Sequence, residues 1–392
     1  MSANVSKQSP FAWSLLLVFL GTAIHLVMGF STELSVDEAH YALYANHLAW
    51  SYFDHPPLVG WIQWPLVAIN APDGILRLIP ITLWIISCFL VYHIADQLDE
   101  YCTHRSLFIK APTPNNPSYA GLAAVAIIVF APLPHVLAVG LVPDSLLTPL
   151  SLGILWMSLQ WLKQDGQLSF YQWIGLGLLF GLAGLSKYTA ILYALAFAIA
   201  CLSVPRFTFL RQSGFYIAIA IALLLISPVL LWNAQYDWIS FKYQIDHGSG
   251  GDWLWRRLAA FLGIQLVVFG FLPILGLWAY SRMLGFAKRP FVSILLVFFI
   301  LPFSVFAALS GGGGLPHWTS PAWFCLAPIA GVGLAQWWQS GKRWLITLCL
   351  AVQGTLVVSG LTLVMTAGYP IASQFKTNPL ADLYGWRSAS TR

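Results

Sequence analysis

Apolar runs recur along this chain near residues 11–30, 75–96, 119–140, 143–162, 171–186, 188–204, 214–232, 258–281, 291–310, 321–338 and 343–366. A helix needs roughly 20 apolar residues to cross the hydrocarbon of a bilayer, so these runs predict about eleven transmembrane helices. Only 8% of the residues are charged and mean hydropathy is +0.74, against about 25% charged residues in an ordinary soluble domain. The runs lack the alternating pattern of a membrane barrel, and helices are the remaining way to pair every peptide group inside lipid. The sequence therefore predicts an all-α polytopic membrane protein. The first run is long, shows no small-residue cleavage site and leads straight into an acidic loop, so it reads as a span and not as a removable signal peptide.

Basic loops stay in the cytoplasm. With the N-terminus inside, the inner segments hold Lys7, Arg105, Lys110, Lys163, Arg206, Arg211, Arg282, Lys288, Arg289, Lys342 and Arg343, eleven of the nineteen Lys and Arg residues. The outer side then carries ten of the fourteen acids: Glu33, Asp37, Glu38, Asp54, Asp73, Asp144, Asp237, Asp246, Asp252 and Asp382. Polar chemistry is expected to face outward, on loops 31–74, 233–257 and 311–320, with 1–366 as the transmembrane module and 367–392 as a short outer tail. The net charge of +5 follows from this topology and does not point to a nucleic-acid partner. The five cysteines, Cys88, Cys102, Cys201, Cys325 and Cys349, have neither metal-type spacing nor the distribution of a disulfide framework.

The first outer loop contains "SVDEAHYALYANHLAWSYFDHPPLVGW", residues 35–61, which gathers Asp37, Glu38, His40, His47, Asp54 and His55. From Val36 to Trp50 there is no Gly or Pro, and Ser35 or Asp37 can cap the start. This predicts a short helix lying on the membrane surface, with Tyr41, Tyr44, Leu48 and Trp50 at the interface. A second short helix should begin at Pro57, leaving Asp54 and His55 at its N-terminus, where an anion or a metal-bridged phosphate is well placed. His40 and His47 read as interfacial. His25 and His135 read as structural, as do most of the 19 Trp residues, through the aromatic belts of a membrane protein.

The pair "DEAHYALYA" and "YFDHPPLVGW" resembles the first extracytoplasmic loop of glycosyltransferase family 39 and its relatives, the protein O-mannosyltransferases and the aminoarabinose transferases of lipid A. In the same order, "LVPDSLLTPL", "GLAGLSKYTA", "SPVLLWNAQYDWISFKYQIDHG" and "GLPHWTSPAW" are similar to bacterial members. The resemblance implies a GT-C fold with short amphipathic helices in the first outer loop. It also implies an enzyme that takes one sugar from a polyprenyl-phosphate donor and inverts its anomeric carbon.

Glycosyl transfer needs a group to accept the proton of the attacking hydroxyl, and a carboxylate can do so. The resemblance gives this role to Asp37, with Glu38 positioning groups or joining the acid network; the bland alternatives are an N-cap and a solvated helix face. Asp144 follows a tight outer turn, where an acid at the mouth of a bundle is costly unless used or paired. The family has a second site acid there, although a helix cap reads equally from the sequence. The leaving lipid phosphate calls for cations. Lys187 is the only Lys, Arg, Asp or Glu between Gln172 and Arg206, and "SKYT" matches the family; Arg256 or Arg257 can add a guanidinium fork. Where the lipid A enzymes place Lys before the double Pro this chain has His55, so phosphate contact at that position depends on pH. Related enzymes hold a metal with an acid before the double Pro and a His in the later loop. Asp54 and His247 match those positions and are the candidates for a divalent-metal site, although a hydrogen-bonded pair or a phosphate site explains the same residues without a metal. His317, in "SGGGGLPHW", is a candidate for contact with donor or acceptor.

About 26 residues follow the last predicted span, which favours a small, lipid-linked or glycan acceptor over a folded protein. The expected enzyme sits among membrane lipids in a bacterial cytoplasmic (inner) membrane, its site facing the periplasm or exterior. The competing reading is a transporter or flippase of envelope glycolipids, which would spread ionisable groups through the membrane and break helices in symmetric positions.

Overall fold

The computed structural model describes residues 9–104, 118–203, 205–249, 252–284 and 290–366. Every element is helical, and no strand occurs among the described residues. Six helices are long and apolar enough to cross a membrane: Pro10–Ser31, Asp73–Cys102, Pro143–Lys163, Ser213–Gln235, Val292–Gly313 and Arg343–Met365. Two bent pairs, Ala120–Val129 with Pro132–Val139 (74°) and Trp255–Phe269 with Leu272–Met283 (90°), raise the number to eight. The other three of the eleven expected runs form helices Phe170–Ser186, Ile191–Leu202 and Ser320–Gln339, which fall short in length or apolarity. The tail at 367–392 and most of the linker "KAPTPNNPS" lie outside the described residues.

The shortfall of Ser320–Gln339 has a physical reason. This helix is buried on nearly every face, so its neighbours are protein side chains rather than lipid and it need not be as apolar as a helix against hydrocarbon. Helix Leu272–Met283 lies so close to it that a Cβ on Gly333 would sit 2.0 Å from the Gly276 carbonyl oxygen. Small residues allow such contact, which is how helices gain packing where the hydrophobic effect offers little. Helices Ser213–Gln235 and Arg343–Met365 instead leave Leu223, Leu224, Leu231, Leu348 and Val358 exposed, as lipid-facing helices should.

Both bends depend on one side chain. Gln353, fully buried in the last helix, accepts from the Phe271 and Leu272 amides at 3.1 and 3.0 Å and donates to the Phe130 carbonyl at 3.1 Å. Gly270 turns one corner at φ +78°, a region an L side chain rarely enters. At the other corner the His135 Nε2 donates to the Val129 carbonyl at 2.8 Å, which makes its Nδ1 the acceptor for His25 Nε2, also at 2.8 Å. Broken helices are what the transport reading anticipates. The ionisable groups, however, gather chiefly at one end of the bundle.

That end is closed by helix Val36–Asn46. Ser35 caps it with a complete capping box, its side chain accepting from the Glu38 amide while Glu38 reaches back to the Ser35 amide. The helix stops at His47, short of Trp50. Tyr41 and Tyr44 are buried within the loop instead of facing the interface, whereas Leu48 and Trp50 are exposed. Tyr44 stacks on Tyr52 with ring centres 3.7 Å apart.

Replacing Gln353 by Leu strands two amides and a carbonyl at the helix breaks. At about 1–3 kcal/mol for a buried unsatisfied group, the Gln353→Leu protein should unfold in detergent at a clearly lower temperature than the parent. An unchanged transition would show that the breaks are satisfied otherwise.

Candidate active site

Asp144 occupies the first turn of helix Pro143–Lys163, behind Pro143, where the positive end of the helix dipole favours an anion. Lys187 lies where helix Phe170–Ser186 ends and the chain turns extended, at φ −157° and ψ 140°. Its ammonium meets both carboxylate oxygens of Asp144, at 2.7 and 2.6 Å. Both residues are buried, 1% and 6% exposed, and a buried charge persists only when it is paired. His317 approaches the same carboxylate, with Nε2 3.8 Å from Oδ2. It stands in the turn Pro316–Thr319, which Gln265 fixes: the Gln265 amide donates to the Pro316 carbonyl at 3.1 Å, and its oxygen accepts from Thr319 Oγ1 at 2.6 Å and Trp323 Nε1 at 2.8 Å. Three residues from separate parts of the sequence thus form one cluster.

The first loop adds three more acids in different states. Glu38 is buried and bound by the Arg77 fork at 2.8 and 2.9 Å, while Oε2 also accepts from the Ser35 amide and hydroxyl at 2.9 Å each. Its carboxylate is fully engaged, so it holds structure and does not face a substrate. Asp54 accepts a short hydrogen bond from the Tyr44 hydroxyl and lies 3.4 Å from His40 Nε2 and 3.9 Å from His55 Nε2. Asp37 is exposed and has no hydrogen bond or ion pair among the described residues. It is the free carboxylate of the group.

Electrostatics ties the loop to the cluster. Burial, then the charges of Asp54, Asp37 and Asp144, push the Tyr41 phenol far above its ordinary value. Burial lowers His317, with Lys187 adding to the effect and Asp144 and Asp37 opposing it. Burial also lowers His55, opposed by Asp54 and Asp144 and reinforced by Lys187 and His40. Asp37, Asp54, His55, Asp144, Lys187 and His317 therefore act within one neighbourhood.

Helix Ile239–Ser249 braces it, with Ser240 Oγ donating to the Tyr52 carbonyl at 2.8 Å and Gln244 bonding the Asp54 carbonyl. Arg257 is taken up elsewhere, donating to the Asp252 and Gly312 carbonyls at 3.1 and 3.0 Å, and Arg256 is exposed beside it. Neither bonds to the Asp144–Lys187–His317 cluster among the described residues. The His247 side chain lies outside the described residues. Among those described, no three His, Cys, Asp or Glu side chains converge as metal ligands, and the Asp54 carboxylate already serves Tyr44, so no chemical step is routed through a metal. Sequence reasoning missed Arg77 and Gln265. Arg77 had a signal, being the only Lys or Arg between Lys7 and Arg105 and following directly on the acidic first outer loop. Gln265 had none.

The family model for dolichyl-phosphate-mannose-protein mannosyltransferases matches residues 54–232, a window holding Asp54, His55, Asp144 and Lys187. The lipid A galacturonosyltransferase RgtD of Rhizobium johnstonii is 25% identical over 347 residues, covering 85% of this chain and 68% of the relative. ArnT from Cupriavidus metallidurans in its apo state superposes with a TM-score of 0.65 at 18% identity, over 95% of this chain and 67% of that one. ArnT from the same organism bound to undecaprenyl phosphate gives 0.59 at 19% identity, over 92% and 71%. The structural likeness shows the GT-C fold, and the family model, over somewhat less than half of the chain, and the curated relative both point to a glycosyltransferase. This chain is a glycosyltransferase with that fold. Its similarity to glycosyltransferases favours the enzymatic reading over transport.

In this glycosyltransferase either member of the Asp144–Lys187 pair, removed alone, leaves an uncompensated buried charge, a loss of about 3–5 kcal/mol. Asp144→Asn and Lys187→Met should each unfold well below the parent. The double variant should regain most of the stability without regaining activity; equal stability of all four proteins would contradict a buried ion pair.

Burial holds His55 and His317 below their ordinary value in the folded protein, whereas in the unfolded chain they titrate near about 6.5. Below that pH the unfolded state binds more protons, so their contribution to stability is complete above about 6.5 and declines as pH falls. Melting curves at a series of pH values should show a shallower acid-side decline for His317→Gln than for the parent. Parallel curves would place His317 in solvent.

Proposed function

We propose that this enzyme transfers a single sugar from an undecaprenyl-phosphate-like carrier to a lipid or glycan acceptor outside the cytoplasmic membrane, inverting the anomeric centre, with a lipid of the lipid A class as the favoured acceptor. The carrying observation is the contrast among the acids: Glu38, Asp54 and Asp144 are engaged, while Asp37 is free and exposed and acts on His317 together with the buried Lys187 ammonium. The relative RgtD, a lipid A galacturonosyltransferase, supports the acceptor class, and the undecaprenyl phosphate bound to the similar ArnT supports the carrier.

In the proposed step the acceptor hydroxyl loses its proton to the Asp37 carboxylate as its oxygen bonds to the anomeric carbon. The bond from that carbon to the phosphate oxygen breaks on the opposite face, and the electron pair leaves with the polyprenyl phosphate. An ammonium has three donors. Asp144 takes up two of them in holding Lys187 at a buried position and leaves one for the departing phosphate, where a fixed cation in a water-poor site stabilises charge most. His317 and His55, held below their ordinary value by burial, are suited to hydrogen-bond a phosphate, whose charge would make them more basic.

A cavity of about 630 Å³ begins next to this site. Tyr188, Gly184, Ile191, Phe197, Leu223 and Ile226 are among its lining residues, and Tyr188 directly follows Lys187. Its nearly all-apolar wall suits the isoprenoid tail of the donor.

Purified enzyme supplied with radiolabelled polyprenyl-phosphate sugar and a lipid A acceptor should transfer label. Asp37→Asn should fold normally and lower the rate by about 10²- to 10⁴-fold, the usual worth of a positioned base. A near-normal rate in this variant would remove Asp37 from the chemistry.

A further inference from the structure

Arg77 is 2% exposed and stands just before helix Leu78–His104. Its Nε and Nη2 hold the two oxygens of Glu38 at 2.8 and 2.9 Å. Its Nη1 donates to the Gly29 carbonyl, the Thr32 carbonyl and the Thr32 hydroxyl at 3.0, 2.7 and 2.8 Å, and Nη2 donates to the Glu33 carbonyl at 2.6 Å. A guanidinium has five N–H groups, and these six contacts use its donor face. No donor is left for a phosphate, so this buried cation is not a substrate group. It joins three pieces of chain: the C-terminal end of helix Pro10–Ser31, where carbonyls lack intrahelical partners and a cation suits the dipole; the capping box that starts helix Val36–Asn46; and the start of the next long helix.

Asp37 is the residue immediately before Glu38, in the first turn of that capped helix. Its own carboxylate has no hydrogen bond among the described residues, so its place is set by the backbone. The backbone there is set in turn by Ser35 and Glu38, the latter clamped by Arg77.

Resting on the reading of Asp37 as the base, we propose that Arg77, acting through Glu38, is the positioning residue for Asp37. Lysine cannot reproduce the clamp, since it offers a point charge in place of a planar fork. A displacement of about 1 Å at a reacting group can cost on the order of 10²-fold in rate.

The test is a double-mutant cycle of Arg77→Lys and Asp37→Asn, read as kcat per folded enzyme together with the Kd for polyprenyl phosphate. Alone, Arg77→Lys should lower kcat by about 10- to 100-fold and leave the Kd within about twofold. On the Asp37→Asn background it should change the residual rate less than about threefold, because a residue acting through Asp37 has nothing left to position. Equal losses on both backgrounds, a fall in donor affinity matching the fall in kcat, or a parental kcat for Arg77→Lys would each overturn the proposal. Should Arg77→Lys fail to fold, Glu38→Gln, which keeps the shape and loses the charge pair, goes through the same cycle with the same expectations. The two readings fail differently. If Asp37→Asn keeps the parental rate, the base assignment falls and this proposal with it; if Asp37→Asn is inactive but the effects simply multiply, only the role of Arg77 falls.

Discussion

A charge in the low-dielectric interior of a membrane bundle must be paired, and the contact between Lys187 and Asp144 is where this constraint shapes the protein. Each offsets the cost of burying the other's charge. Together they hold an ammonium where two helix ends meet, close to His317 of the Pro316–Thr319 turn and to His55 of the first loop. The same contact explains why two acids of one site differ: Asp144 is consumed in keeping the cation charged, and Asp37 is left unencumbered to take a proton.

Around this pair the fold uses its other buried polar residues to set geometry. Gln353 satisfies two broken helices at once, Gln265 fixes the turn that presents His317, and Arg77 with Glu38 anchors the loop helix carrying Asp37. Each acts on backbone groups distant in sequence, and each has its hydrogen-bonding capacity substantially filled. At the site itself, capacity remains on the Asp37 carboxylate, the imidazoles of His55 and His317, and the spare donor of Lys187. A phosphate and a hydroxyl are complementary to that set.

The sequence disclosed the helical membrane class through the length of its apolar runs, and the GT-C likeness through the motifs around Asp37 and Asp54. Asp144, Lys187 and His317 were legible because an ionisable residue beside an apolar run is costly without a purpose, and the structure brings these three together. Hydropathy could not show where a helix bends, since Ala131 and Gly270 sit inside continuous apolar stretches. It overrated residues such as Ser320–Gln339 as a lipid-type span, because a helix wrapped by protein is nearly as apolar as one in lipid. Tyr41 and Tyr44 were assigned to the interface by their type, but the acids facing them make the loop interior the better environment for their hydroxyls. Arg256 and Arg257 show the reverse: a cation near an expected site is not thereby part of it, and Arg257 serves the end of a neighbouring helix.

The central claim is that the buried ammonium and the free carboxylate flank one reaction space. An experimental structure of this enzyme with a non-transferable polyprenyl-phosphate sugar tests it most directly. A phosphate oxygen is expected about 3–4 Å from the Lys187 ammonium, with the anomeric carbon between the phosphate and Asp37. A phosphate bound away from Lys187, or a sugar whose anomeric carbon is turned from Asp37, would contradict it.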